Sequence, residues 1–261
     1  MKYISSSSNK IIKRLTVLQS KSRERKKQQC FVIEGKRELS RALEMGYSLE
    51  TIFYREDTGI ELFDKDFDAC YEVSAKLFDR ISIRSGSEEV LAIVKTINHD
   101  LENLDVNLES KILVLESPEK PGNIGAALRT ADAAGVDAVF IADPRTEIYN
   151  PNIIRSSLGS IFTIQICLAN TIEIINFFKA KKIRIFSTLI EKSIDYKSVN
   201  YKEPCAIIIG KESSSISKEW IENSDKLIKI PMKGKMDSLN LSITAAIVIF
   251  EASNQRESCE S

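Results

Sequence analysis

The hydrophobic pattern in the second half of the chain switches repeatedly between two periods. Short β-rich apolar runs (KILVLES, DAVFIA, RIFSTL, CAIIIG, KLIKI) alternate with stretches of helical spacing (NIGAALRTADAAG, TIEIINFFKAKK, SKEWIENS). Apolar strands alternating with helices predict an α/β fold, a parallel sheet with helices on both faces. The last helix goes further. From Ser238 onward Ile243, Ala246, Ile247 and Phe250 fall on one face, and Ala245, Val248, Ile249 and Ala252 fill another. Such a helix demands burial on two sides. Before it, the apolar residues 227–230 run into Pro231, which cannot donate to a sheet, and Gly234, which admits backbone angles other residues avoid. Ligands of α/β folds sit at the C-terminal ends of the strands, so the loops SPEKPGNIG, STLIEKS, GKESSSIS and IPMKGKMDSLN are where chemistry is expected.

The first half has a different texture. SSSSNKIIKRLTVLQSK predicts a helix with Ser8 as N-cap and Ile11, Ile12, Leu15 and Leu18 along one stripe. KSRERKKQQ then carries charge without periodicity, as a mobile basic loop does. Strand-like CFVIEG, a helical KRELSRALEMG closed by Gly46, and strand-like LETIFY, YEVSAKLF and VLAIVKT follow, which is the content of a small α/β domain. Residues 98–109 hold many acids and few large apolar side chains, so the domains are expected at 1–107 and 108–261.

Composition narrows the chemistry. The five cysteines are scattered, odd in number and without CxxC spacing, which argues against a disulfide framework and against a zinc site. His99 is the single histidine, so a Ser-His-Asp or Cys-His nucleophile, or an HExxH metal site, is disfavoured. With no apolar run near the ~20 residues that span a bilayer and no leader pattern at the start, a cytoplasmic protein without membrane contact is expected. Formal charge cancels, 37 Lys and Arg against 37 Asp and Glu, but unevenly. Residues 10–27 carry eight bases against Glu24 alone, and Lys21, Arg23, Arg25, Lys26 and Lys27 are expected to meet nucleic-acid phosphates.

Two common nucleotide motifs fail: no strand is followed by GxGxxG, and GKESSS lacks the upstream glycine of a phosphate loop. What remains is Asn123 to Arg129 opening a helix, Gly210-Lys-Glu212 ending a strand, and the 230–240 loop. Singly, each residue has a plain structural use, Asn123, Ser238 and Asn240 as helix caps and Arg129 as a surface residue. Together these loops resemble those of the SpoU/TrmH family of SPOUT methyltransferases, which methylate ribose 2′-hydroxyls of RNA. Asn123, Gly125 and Arg129 match its first motif, RSSLGSIF with Arg155, Ser157 and Gly159 the segment after it, GKE the start of the second, and IPMKGKMDSLNLS the third. The N-terminal half is similar to the ribosomal-protein-like substrate-binding domain that often precedes this catalytic domain.

The resemblance implies a C-terminal trefoil knot, a homodimer paired through the last helix and the first-motif helix, and S-adenosylmethionine as cofactor. It places Thr188, Leu189, Gly210, Ile230, Met232 and Leu239 around that cofactor. Arg129 is implied as the catalytic group, with Asn123, Ser238 and Asn240 orienting the ribose or the loops and Glu212 organising the site; no metal is implied. The two-domain form favours ribosomal over transfer RNA. The second motif departs from the family: Lys211, Ser213 and Ser215 stand where an asparagine and two glycines are usual. Serine at a glycine-like φ carries strain, so the altered motif also admits an RNA-binding protein of this fold without activity.

Overall fold

The chain opens with a strand that its sequence does not announce. β1 (Lys2–Ile4) precedes α1 (Lys10–Ser20), which is capped by Asn9 rather than Ser8: the Asn9 Oδ1 accepts from the Ile11 N–H at 3.0 Å. α1 buries Ile12, Leu15 and Leu18, the expected stripe. The basic run is not a loop but a helix, α2 (Ser22–Gln28), ended by Gln29 in the left-handed conformation. β2 (Cys30–Glu34), α3 (Lys36–Glu44), β3 (Leu49–Arg55), β4 (Cys70–Val73), α4 (Ala75–Ile81) and β5 (Val90–Lys95) follow. YEVSAKLF, expected as one strand, breaks at Ser74, whose hydroxyl accepts from the Leu77 N–H and starts α4. The strands form a mixed sheet in the order β1-β4-β3-β5-β2.

The second half supplies β6 (Lys111–Glu116), α5 (Pro121–Ala133), β7 (Ala138–Ala142), α6 (Pro151–Ser157), α7 (Ser160–Thr163), β8 (Gln165–Ala169), α8 (Thr171–Ala180) and β9 (Arg184–Thr188). β10 (Ile194–Asp195), β11 (Cys205–Ile209), α9 (Lys218–Asn223), β12 (Lys226–Lys229) and α10 (Leu241–Glu257) complete it. Among the described residues seven strands form one sheet, parallel throughout, in the order β10-β12-β9-β11-β6-β7-β8. One face carries Ile112, Val114, Phe140 and Ile208, buried under Phe178 of α8 and Trp220 of α9. Each such side chain removed from water contributes roughly 1.5–3 kcal/mol before entropy is counted.

The structure, a computed structural model, describes residues 2–58, 69–83, 89–107, 109–210 and 215–257. It divides into two compact units, Met1–Ile97 with Glu147–Thr163, and Asn98–Thr146 with Ile164–Ser261. This differs from a single cut after residue 107 in two ways. The acidic stretch runs along the edge strand β8, where the Leu168 N–H donates to the His99 carbonyl at 2.8 Å and the Asp105 N–H to Gln165 Oε1 at 2.8 Å. Residues 147–163, which hold RSSLGSIF, join the first unit. There Tyr149 stacks on Phe31 of β2 with ring centroids 4.2 Å apart, and Phe162 lies at 6.0 Å. Cys30 and Val32, the alternate residues of β2, pack with Ile12 and Leu15. This insert therefore buries one face of a strand whose other face belongs to α1. Its Leu158–Gly159 turn has φ of 52° and 90°, and the Leu158 carbonyl accepts from Arg41 Nη1 at 2.7 Å.

Candidate active site

Sheet register decides which loops meet. β12, β9, β11 and β6 are consecutive neighbours, with Ile228 opposite Thr188, Ser187 opposite Ile208 and Ile209 opposite Leu115. The C-terminal ends of these strands therefore bring Thr188, Leu189, Gly210 and Ile230 to one edge, all of them half-buried. Thr188 Oγ1 donates to the Ile208 carbonyl at 3.0 Å and the Leu189 N–H to the Ile228 carbonyl at 2.9 Å, so both fasten neighbouring strands. Gly210 has no room for a side chain: a Cβ there would lie 2.6 Å from Ile216 Cγ2. In the loop before α10, Leu239 is half-buried, whereas Met232 and Ser238 are exposed.

The first and third motifs touch directly. Asn240 Nδ2 donates to Asn123 Oδ1 at 3.1 Å, while Asn240 Oδ1 accepts from the Ser242 N–H at 2.9 Å and the Ser242 hydroxyl at 2.7 Å. One asparagine thus caps α10 and fixes the start of α5. Beneath the two helices, the buried Lys111 Nζ donates to the Ala134 carbonyl at 2.7 Å and the Ser253 hydroxyl at 2.5 Å; burial depresses the pKa of this ammonium. Arg129 is exposed on α5. It does not share a face with Asn123, since six residues turn a helix about 120° away from the starting direction.

Glu212, Lys211 and Ser213 lie outside the described residues. Ser215 is described and is exposed. One residue was missed by sequence reasoning: Glu116, a buried carboxylate at the end of β6, which accepts from the Ser217 N–H at 3.0 and 3.2 Å. Its only signal was an acid closing a strand otherwise buried throughout. Burial raises its pKa, against the Ser217 hydrogen bonds that lower it. Among the described residues no group of three His, Cys, Asp or Glu is placed to hold a metal.

In the first unit the basic cluster is partly as expected. Lys21, Arg23, Lys26 and Lys27 are exposed on or beside α2. Arg25 points inward, 3% exposed, with Nε donating to Glu147 Oε2 at 2.7 Å and Nη1 to the Leu18 carbonyl at 2.7 Å. A guanidinium buried and paired in this way is not available to a phosphate, which corrects its assignment to RNA contact.

The family model of the SpoU rRNA methylases matches residues 110–250, more than half the chain, and that of MRM3-like substrate-binding domains matches residues 9–92. The chain belongs to the SpoU rRNA methylase family. The resemblance to that family is borne out, as is the α/β architecture with a substrate-binding domain in front. This methylase is 28% identical to a 23S rRNA (guanosine(2553)-2′-O)-methyltransferase of Bacillus subtilis (strain 168), over 96% of this chain and 98% of the relative. A crystal structure of an RNA 2′-O ribose methyltransferase superposes with TM-score 0.85 at 33% identity, covering 98% of this chain and 99% of the other. The SpoU methyltransferase AviRb from Streptomyces viridochromogenes, solved with AdoMet, superposes with TM-score 0.88 at 26% identity, covering 96% and 100%.

Proposed function

We propose that this methylase transfers a methyl group from S-adenosylmethionine to a ribose 2′-hydroxyl of ribosomal RNA. The observation that carries the reading is the Asn240–Asn123 hydrogen bond, which joins the first and third motifs at the strand edge holding Thr188, Leu189, Gly210 and Ile230. The edge suits an adenosine: backbone groups and half-buried apolar side chains, with a glycine whose Cβ position is already filled by Ile216. Leu239 and Met232 extend it. When bound, S-adenosylmethionine supplies a sulfonium-activated methyl group. The chain's own task is to align the 2′-oxygen and ease loss of its proton.

Arg129 is the group assigned to that task. The cationic guanidinium acts by charge, donating to an RNA phosphate and to the 2′-oxygen and stabilising the alkoxide as its proton passes to solvent water. Asn123, Ser238 and Asn240 orient the ribose and the loops, and Glu212 organises the site. Lys21, Arg23, Lys26 and Lys27 contact phosphates of the substrate. Ribosomal RNA is favoured over transfer RNA because the Bacillus subtilis relative, aligned along both units, is named for 23S rRNA. Such a substrate places the enzyme in the cytoplasm; among the described residues no helix is long and apolar enough to cross a membrane.

A second copy of the chain is the proposed partner of α10. Val248, Ile249 and Ala252 are buried within the unit, while Ile243 and Phe250 remain 50% and 51% exposed with Ala246 and Ile247 half-covered beside them. The trefoil knot belongs to the same reading and would hold the loops after β9, β11 and β12 together. The decisive experiment maps 2′-O-methyl groups in ribosomal and transfer RNA from cells with and without the gene, alongside cofactor titration of the purified protein. Loss of one ribosomal mark is expected. Cofactor-free behaviour with no mark lost would mean an inactive RNA-binding protein, and a lost tRNA mark would move the substrate.

A further inference from the structure

Glu116 is a carboxylate that the mechanism above leaves unused, and it sits where a charge is costly: all six residues of β6 are buried. Both its oxygens accept from the Ser217 N–H, at 3.0 and 3.2 Å. β11 runs beside β6 with Ile209 opposite Leu115, so the next position, Gly210, falls beside Glu116. Ile216 is buried, its Cγ2 only 2.6 Å from where a Gly210 Cβ would sit. The chain therefore leaves the sheet at Gly210 and is back against the same point at Ile216 and Ser217, where the Glu116 carboxylate holds it.

We propose that Glu116 is a positioning residue for S-adenosylmethionine: by fixing Ser217 it presses Ile216 onto Gly210 and sets the backbone that the adenosine meets. This rests on the reading of Gly210 as part of the cofactor site. The surroundings suit positioning better than stabilisation. Among the described residues Asp143, after β7, and Glu219, on α9, act on Glu116; with burial as the larger cause, they raise its pKa against the lowering effect of Ser217. Ser217, Asp143 and Glu219 also line one cavity of about 310 Å³. For an acid whose pKa rises on folding, the ionised form is the less stable one in the folded state, and the fold gains as pH falls. Glu116 is thus retained at some cost to stability, and its hold on Ser217 weakens as it protonates, because a neutral carboxyl accepts less strongly.

The test is cofactor affinity of the full chain by titration calorimetry, with apo melting temperature, for Glu116→Gln, Glu116→Leu and Ser217→Pro. Ser217 has φ of −64°, proline's own value, so that variant removes the N–H without forcing φ. The Leu and Pro variants are expected to bind S-adenosylmethionine about tenfold or more weakly, the loss of one charge-assisted hydrogen bond. The Gln variant, which keeps an acceptor, should stay within about threefold, melt no lower than the parent, and lose the parent's decline in affinity on mild acidification. Parental affinity in both the Leu and Pro variants, or a Gln variant as weak as Leu, overturns the proposal. Gly210→Val separates the two readings: if it too binds as the parent does, the cofactor site itself is misplaced.

Discussion

α2 and the α5–α10 pair are held by opposite means. The inward residue of α2 is Arg25, anchored on Glu147, 122 positions away in sequence, and on the Leu18 carbonyl; the other bases stay in solvent. α10 is held mainly by apolar contact: Leu241, Ala245, Val248, Ile249 and Ala252 are buried, with packing against α5 and β11, and Ser253 and Arg256 add hydrogen bonds toward its end. A polar anchor leaves a charged surface intact for a charged partner, whereas an apolar one fixes two helix starts closely enough for Asn240 to reach Asn123. The lesson is a division of labour. Perturbing α5–α10 should alter chemistry, and perturbing α2 should alter the grip on RNA.

The largest expected effect lies on α5. Arg129→Ala should slow methyl transfer by roughly 10²- to 10⁴-fold in single turnovers at saturating RNA, with cofactor affinity unchanged. Arg129→Lys should recover little, because an ammonium lacks the planar fork that spans phosphate and hydroxyl. Near-parental turnover in Arg129→Ala would remove Arg129 from the mechanism.

Next comes the polar anchor. Glu147→Ala strands a buried guanidinium and should destabilise the first unit by about 3 kcal/mol, read by urea denaturation, with Arg25→Met/Glu147→Leu recovering most of it. If the single change costs nothing, α2 is not held by this pair. On α10, Phe250→Asp with Ile243→Lys should shift sedimentation from dimer to monomer at micromolar concentration while the monomer stays folded, since both positions are half-exposed. A parent already monomeric there would end the pairing model.

The smallest effect is on α2's outer face. Replacing Arg23, Lys26 and Lys27 with Ala should lower the salt slope of RNA binding by about two, at ~0.7 per phosphate, and leave turnover at saturating RNA alone. An unchanged slope would make these bases ordinary solvated charges.

Much of this was legible along the chain, for reasons that differ by element. β6, β7, β9 and β11 are apolar on both faces because parallel strands are buried on both, and their runs stand out from any window. Asn123, Gly210 and Asn240 were legible because motif spacing survives without knowledge of contacts. β8 was overlooked, its five residues lying between a short helix and a capping box without a break in pattern. α2 was read as a loop because no apolar residue recurs in SRERKKQ, and the residue that turns inward is itself an arginine.

By itself the sequence determined the parallel α/β class, the apolar wrap of α10 and the three motif loops, all of which depend on local periodicity or on residue type at fixed spacing. Tertiary structure alone decided three other matters. It gave residues 147–163 to the first unit, turned Arg25 from a phosphate ligand into a buried anchor, and set Glu116 against Ser217. Each rests on a pairing between residues far apart in the chain, where the energy belongs to the contact and the partners carry at most a weak mark of it, such as the acid that closes β6.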